Sequence, residues 1–99
     1  MTINTMVTGT ELSIALEGRL DTNTAPSLEA ELKKNIGGIA SLVIDVEKLE
    51  YISSAGLRVL LSAHKIMAKQ GSMTIRNVRE EVMEIFEVTG FDEILNIER

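Results

Sequence analysis

The sequence predicts an α/β domain, a mixed β-sheet with α-helices packed on it, in the order ββαβαβα(β) over residues 1–99. Three observations carry that prediction. Apolar residues alternate near the N-terminus, short β-branched runs recur further on, and segments with apolar residues every three or four positions stand between them. A chain of 99 residues has room for one core and no second domain.

The elements follow in order. "TINTMVTGTELSIALEG" reads as two short strands joined at Thr8-Gly9-Thr10; Leu12, Ile14 and Leu16 alternate with Ser13, Ala15 and Glu17, which buries one face. "GRLDTNTAPSLEAELKKNIGG" then changes to helical spacing. Asp21 or Thr22 is expected to cap this helix, and Pro26 fits only in its first turn. Leu28, Leu32 and Ile36 form the inward stripe, and Gly37-Gly38 stops the helix. "SLVIDV" is almost wholly apolar, as a strand covered on both faces would be. Leu57 to Gln70 is expected to be a helix that Gly71 ends, and "SMTIRNV" the next strand. "REEVMEIFEVTG" makes a third helix with Val78, Val82, Ile85 and Phe86 on one face and Gly90 at its end. "DEILNIE" is expected to close the sheet.

Composition narrows the function. Apolar residues make up 44% and charged residues 25%, ordinary globular usage, while aromatics at 3% leave Leu, Ile, Val, Ala and Met to build the core. Cysteine is absent, which excludes disulfides and thiolate metal sites. No apolar run reaches transmembrane length and no signal-like segment opens the chain, so a cytoplasmic domain without a membrane role is expected. The net charge of −5 divides as four Lys/Arg against eight Asp/Glu in residues 1–50 and six against seven in residues 51–99. A protein without a basic face is poorly suited to nucleic acid, so protein or small-molecule partners are expected.

The stretch with most chemical content is "LEYISSAGLRVLLSAHK", where adjacent serines stand between a strand and a helix. A helix cap alone accounts for one of them, since a serine oxygen can accept a hydrogen bond from a free amide of the first turn. The other reading is a hydroxyl to be modified. At 100° per residue, Arg58, Ser62, Lys65 and Lys69 fall in one polar arc, and Leu57, Val59, Leu60, Leu61, Ala63, Ile66 and Met67 make the rest apolar nearly all round. Extended backwards, Ser54 lies beside the polar arc and Ser53 points toward the apolar side. A phosphate on Ser54 would meet the helix amides and dipole, with Arg58 one turn on, and would add about −1.5 to −2 charges at a docking surface.

"LEYISSAGLRVLL", the earlier "LEGRLDTNTAP" with Gly18, Leu20, Asp21 and Thr22, and the later "VTGFDEIL" together resemble the STAS domain family, specifically the bacterial anti-sigma factor antagonists. The resemblance spans essentially the whole chain. It implies a phosphorylation-switched binding module with no catalysis of its own and no cofactor. Its partner would be an anti-sigma factor that is also a serine kinase; binding would free a sigma factor, and a metal-dependent serine phosphatase would reverse phosphorylation. Position by position, the acceptor falls on Ser54, and Asp21, Thr22, Ser53, Ala55, Gly56 and Arg58 fall in the docking region. Many members carry Asp before the acceptor, whereas this chain has Ser53, which becomes the alternative acceptor. A monomer is expected from size and charge.

Other readings of the same fold are a regulatory subunit of a membrane transporter and a nucleotide-binding domain. His64, the only histidine, falls in the apolar arc and reads as a packed or boundary residue. No Gly-x-Ser-x-Gly motif or metal-ligand spacing is present. Glu80, Glu81, Glu84 and Glu87 read as the solvated face of a helix, with docking as the other possibility.

Overall fold

The computed structural model describes residues 1–99. Strands β1 (Thr2–Thr8) and β2 (Glu11–Leu20) form an antiparallel hairpin; helix α1 (Ala25–Asn35), strand β3 (Ser41–Ile52), helix α2 (Ser54–Gln70), strand β4 (Ser72–Arg76), helix α3 (Glu80–Thr89), a single 3₁₀ turn (Phe91–Glu93) and strand β5 (Ile97–Glu98) follow. The sheet order is β1-β2-β3-β4-β5, with β2 through β5 parallel. The fold class and element order are those the sequence predicts.

The hairpin turns on Gly9 and Thr10, with Thr8 opposite Glu11; only Gly9 has positive φ, as a II′-type turn requires. From β2 onward each strand lies beside its predecessor. Right-handed crossovers stepping always in one direction place every helix on the same face. That corrects the expectation for "SLVIDV". Leu42, Ile44 and Val46 are buried under the helices, while Val43 and Asp45 lie half-buried on the other face, which no helix covers. The strand also runs on to Ile52. Two register shifts against β2 move the buried positions from Val46 to Leu49 and then to Ile52.

The core comprises 25 buried apolar residues and no buried polar or charged side chain. Leu12, Ile14, Leu16 and Leu20 of β2 supply one row, and Leu28, Leu32 and Ile36 are buried in the same core, as the sequence stripe implies. Phe86 and Val82 seal the far side from α3. Gln70 ties α1 to α2, its Nε2 donating to the Ile36 and Ile39 carbonyls at 3.1 and 2.8 Å. At the end of the chain, only Ile97–Glu98 of "DEILNIE" joins the sheet.

Three further expectations are corrected. Thr24, not Asp21 or Thr22, occupies the N-cap of α1, and its side chain bonds backwards into the preceding turn instead of capping. Helix α2 begins at Ser54, three residues before Leu57, because Ser53 caps it. Its surface is less apolar all round than the projection implies: Leu61 and His64 are half-buried and Ile66 is exposed.

Candidate functional site

Adjacent parallel strands bring the two sequence motifs together. Leu20 and Ile52 are register partners at the carboxyl ends of β2 and β3, and the Ser53 amide donates to the Leu20 carbonyl at 2.8 Å. The Asp21-Thr22 turn and the Ser53-Ser54 turn therefore emerge side by side. The 32-residue sequence separation of Leu20 and Ile52 vanishes in one ladder step.

The two serines have different duties. Ser53 has extended backbone and its Oγ accepts from the Gly56 amide at 3.3 Å, an N-cap of α2. Ser54 is the first helical residue and is exposed. Arg58, one turn along, is exposed and takes part in neither of the chain's two ion pairs, Lys33–Glu29 and Arg76–Glu98. Ser62, Lys65 and Lys69 continue the exposed arc, as the projection implies. Ala55 is half-buried against the core.

Gly56 fixes how closely this helix end approaches the sheet. A Cβ there would lie 2.7 Å from Leu20 Cγ and 2.9 Å from Ile52 Cγ1, both on buried side chains with no room to retreat. Gly56→Ala is expected to cost about 1–3 kcal/mol through overpacking. Thermal melting checks this, at roughly 4–8 °C per kcal/mol for a domain of this size. A melting temperature equal to wild type would show that the helix end is not clamped.

Asp21 organises the neighbouring turn. Its Oδ1 accepts from the amides of Asn23 at 2.9 Å and Thr24 at 3.1 Å, while its own amide donates to Thr24 Oγ1 at 2.8 Å. The Thr24 hydroxyl in turn donates to the Arg19 carbonyl at 2.8 Å. The Thr24 amide, above all, holds the Asp21 carboxyl below its ordinary pKa of 3.8, with help from the Asn23 amide, the Thr24 hydroxyl and Arg19, against a smaller opposing effect of desolvation. A depressed folded-state pKa stabilises the protein above the unfolded value and loses that contribution as pH falls through the folded one. Asp21→Asn keeps an acceptor oxygen but removes the charge. The wild-type advantage in melting temperature is expected to be constant near neutrality and to shrink below pH 3.8. A difference independent of pH would contradict this.

Thr22 is exposed at the tip of the turn. One supporting pair was invisible in the sequence: the Arg19 guanidinium lies 4.4 Å from the Tyr51 ring centroid. These residues are register partners two positions before the two turns, and only the pairing of β2 with β3 reveals them. His64 is half-buried, a boundary position. The larger grooves lie elsewhere, notably one of about 260 Å³ on the uncovered sheet face lined by Asn4, Met6, Ser13, Ala15 and Arg76 among others. Neither Ser53 nor Ser54 lines any of these grooves. No group of three or more His, Asp or Glu side chains is placed to ligate a metal ion, and no helix is long and apolar enough to cross a membrane.

A one-faced helical layer on a sheet with a serine turn at a strand end is the STAS arrangement, and the STAS domain model matches residues 2–99. This chain belongs to the STAS domain family. It is 40% identical over 82 residues to a Bordetella bronchiseptica protein that bears the name of an anti-sigma factor antagonist, BtrV; the match covers 81% of this chain and 71% of that one. The anti-sigma-B factor antagonist of Bacillus subtilis is 31% identical over 88 residues, covering 88% of this chain and 81% of its own. An anti-sigma factor antagonist structure from Mycobacterium paratuberculosis shares the fold with a TM-score of 0.88 at 21% identity, over 98% of this chain and 84% of that one.

Proposed function

We propose that this protein is an anti-sigma factor antagonist switched by phosphorylation of Ser54. In its unphosphorylated form it binds a cytoplasmic anti-sigma factor that is also a serine kinase, and so releases the sigma factor. The kinase transfers the γ-phosphoryl group of ATP to the Ser54 oxygen, the hydroxyl proton leaving and ADP departing. A serine phosphatase restores the hydroxyl by hydrolysis. The chain itself catalyses nothing in this cycle.

The observation that carries the reading is the division of labour at the turn. The Ser53 hydroxyl is engaged as the cap of α2, whereas Ser54 stands exposed beside it. A phosphate on Ser54 would lie near free amides of the first turn and within one helical turn of Arg58, so the domain can carry it without unfolding. The effect falls on the partner instead, because the docking surface built from Asp21, Thr22, Ser53, Ala55 and Arg58 acquires a near-dianion at its centre; Gly56, expected in that region, is buried and acts by seating the helix end. Names of the relatives support the class of partner, and the exposed turn supports the mode of control.

Affinity capture from the native cell tests the reading. Wild-type and Ser54→Ala baits are expected to retain a serine kinase of the anti-sigma class, and the phosphorylated bait is expected to lose it. Capture of a transporter subunit by both forms of the bait, with no kinase, would overturn the proposal.

A further inference from the structure

The free edge of the sheet carries a feature that the switch does not use. Strand β1 lies at one end of the five-stranded order and pairs only with β2. Its sequence, Thr2–Thr8, "TINTMVT", contains no charge, no proline and no glycine, and its register with β2 is uninterrupted. Exposed edges are ordinarily protected by charge, proline or a bulge. The opposite edge, β5, is only two residues long. Met6 is 67% exposed on the uncovered sheet face and Val7 51% exposed on the helical side.

Hydrogen-bond parity identifies which groups the edge offers. A two-residue turn makes Thr8–Glu11 a hydrogen-bonded pair, so Met6–Ser13, Asn4–Ala15 and Thr2–Glu17 are bonded pairs as well. The amides and carbonyls of Ile3, Thr5 and Val7 then point outward. These three are spaced evenly about Thr5. Thr5 Oγ1 is also the one buried side-chain polar atom in the chain with no hydrogen-bond partner.

We propose that β1 pairs antiparallel with β1 of a second copy of this chain, on a two-fold axis through Thr5, to give a continuous ten-stranded sheet. In that register Ile3 faces Val7 of the other copy, Asn4 faces Met6, and Thr5 faces itself. The bonded pairs of the new ladder are the outward-pointing ones, so every free group of Ile3, Thr5 and Val7 gains a partner. Ile3, already packed against the core, extends its apolar surface over Val7. Rotation about χ1 brings the unsatisfied Thr5 hydroxyl to the axis, where a threonine–threonine pair is a favourable cross-strand contact. An uncharged edge whose free groups are spaced evenly about Thr5 is complementary to a second copy of itself, and the contact is isologous and closed.

Light scattering after size exclusion, over a micromolar to millimolar range, tests this. Wild type is expected to move from one chain mass toward two as concentration rises. Thr5→Lys places two ammonium groups at the axis and is expected to raise the dimer dissociation constant at least about tenfold. Val88→Lys, on the most exposed apolar residue of α3, is expected to dimerise like wild type. A wild type that stays monomeric throughout, or a dimer indifferent to Thr5→Lys, would overturn the proposal. Should Thr5→Lys fail to fold, hydrogen exchange on wild type decides: the amides of Ile3, Thr5 and Val7 must slow with concentration, and concentration-independent exchange there refutes the pairing.

Discussion

Replacing Ser54 by Asp is expected to weaken binding to the anti-sigma kinase by about ten- to a hundredfold, which is roughly 1.4–2.8 kcal/mol. The effect comes from one carboxylate placed, desolvated, at the centre of the docking surface. Phosphoserine carries up to about twice that charge and should act more strongly. Folding should respond in the opposite sense. An anion at the first position of α2 interacts favourably with the helix dipole, by about 0.3–1 kcal/mol at an exposed site. Loss of affinity with unchanged or slightly raised melting temperature is therefore the signature. Titration calorimetry against the partner and a thermal melt measure the two halves; wild-type affinity, or a collapse in stability, would contradict a charge switch.

Gly71→Ala is expected to produce the largest loss of stability in the chain, about 3 kcal/mol or more. A Cβ at Gly71 would lie 1.8 Å from the Ala40 carbonyl oxygen and 2.7 Å from its carbon, so backbone has to move. That backbone is a junction. The Ala40 carbonyl accepts from the Ser72 amide at 3.0 Å, and the Ala40 amide donates to the Thr10 carbonyl at 2.8 Å. Strands β2, β3 and β4 thus start in register around one residue. Gly37→Ala is the control, because a Cβ there meets nothing within 4 Å; its effect should stay within about 0.5 kcal/mol. Equal melting temperatures for the two variants would show that the Gly71–Ala40 approach does not hold the sheet.

Much of this was legible in the sequence because periodicity reports burial. The alternation at Leu12, Ile14 and Leu16 and the stripe at Leu28, Leu32 and Ile36 reappear as buried rows. The exposure of Ser54 and the inward bias of Ser53 also followed from angular position, since the cap lies only one residue outside the helix. What failed depended on long-range geometry. "SLVIDV" has the composition of a doubly covered strand, but coverage is set by the direction of the crossovers, which local sequence does not state. The role of Asp21 was mistaken for a helix cap because Asx turns and caps draw on the same residues. Gly71 ends α2 as its sequence position implies, but its close approach to Ala40 was not legible, because that contact requires β3 and β4 to be paired first. The Arg19–Tyr51 pair was hidden for the same reason.

The central claim is that the exposed hydroxyl, and not the capping one, receives the phosphate. Incubation of the protein with its cognate kinase and ATP, followed by fragmentation mass spectrometry, tests it most directly. A single added phosphate is expected on Ser54 and none on the Ser54→Ala variant. Phosphate found on Ser53 alone would contradict it.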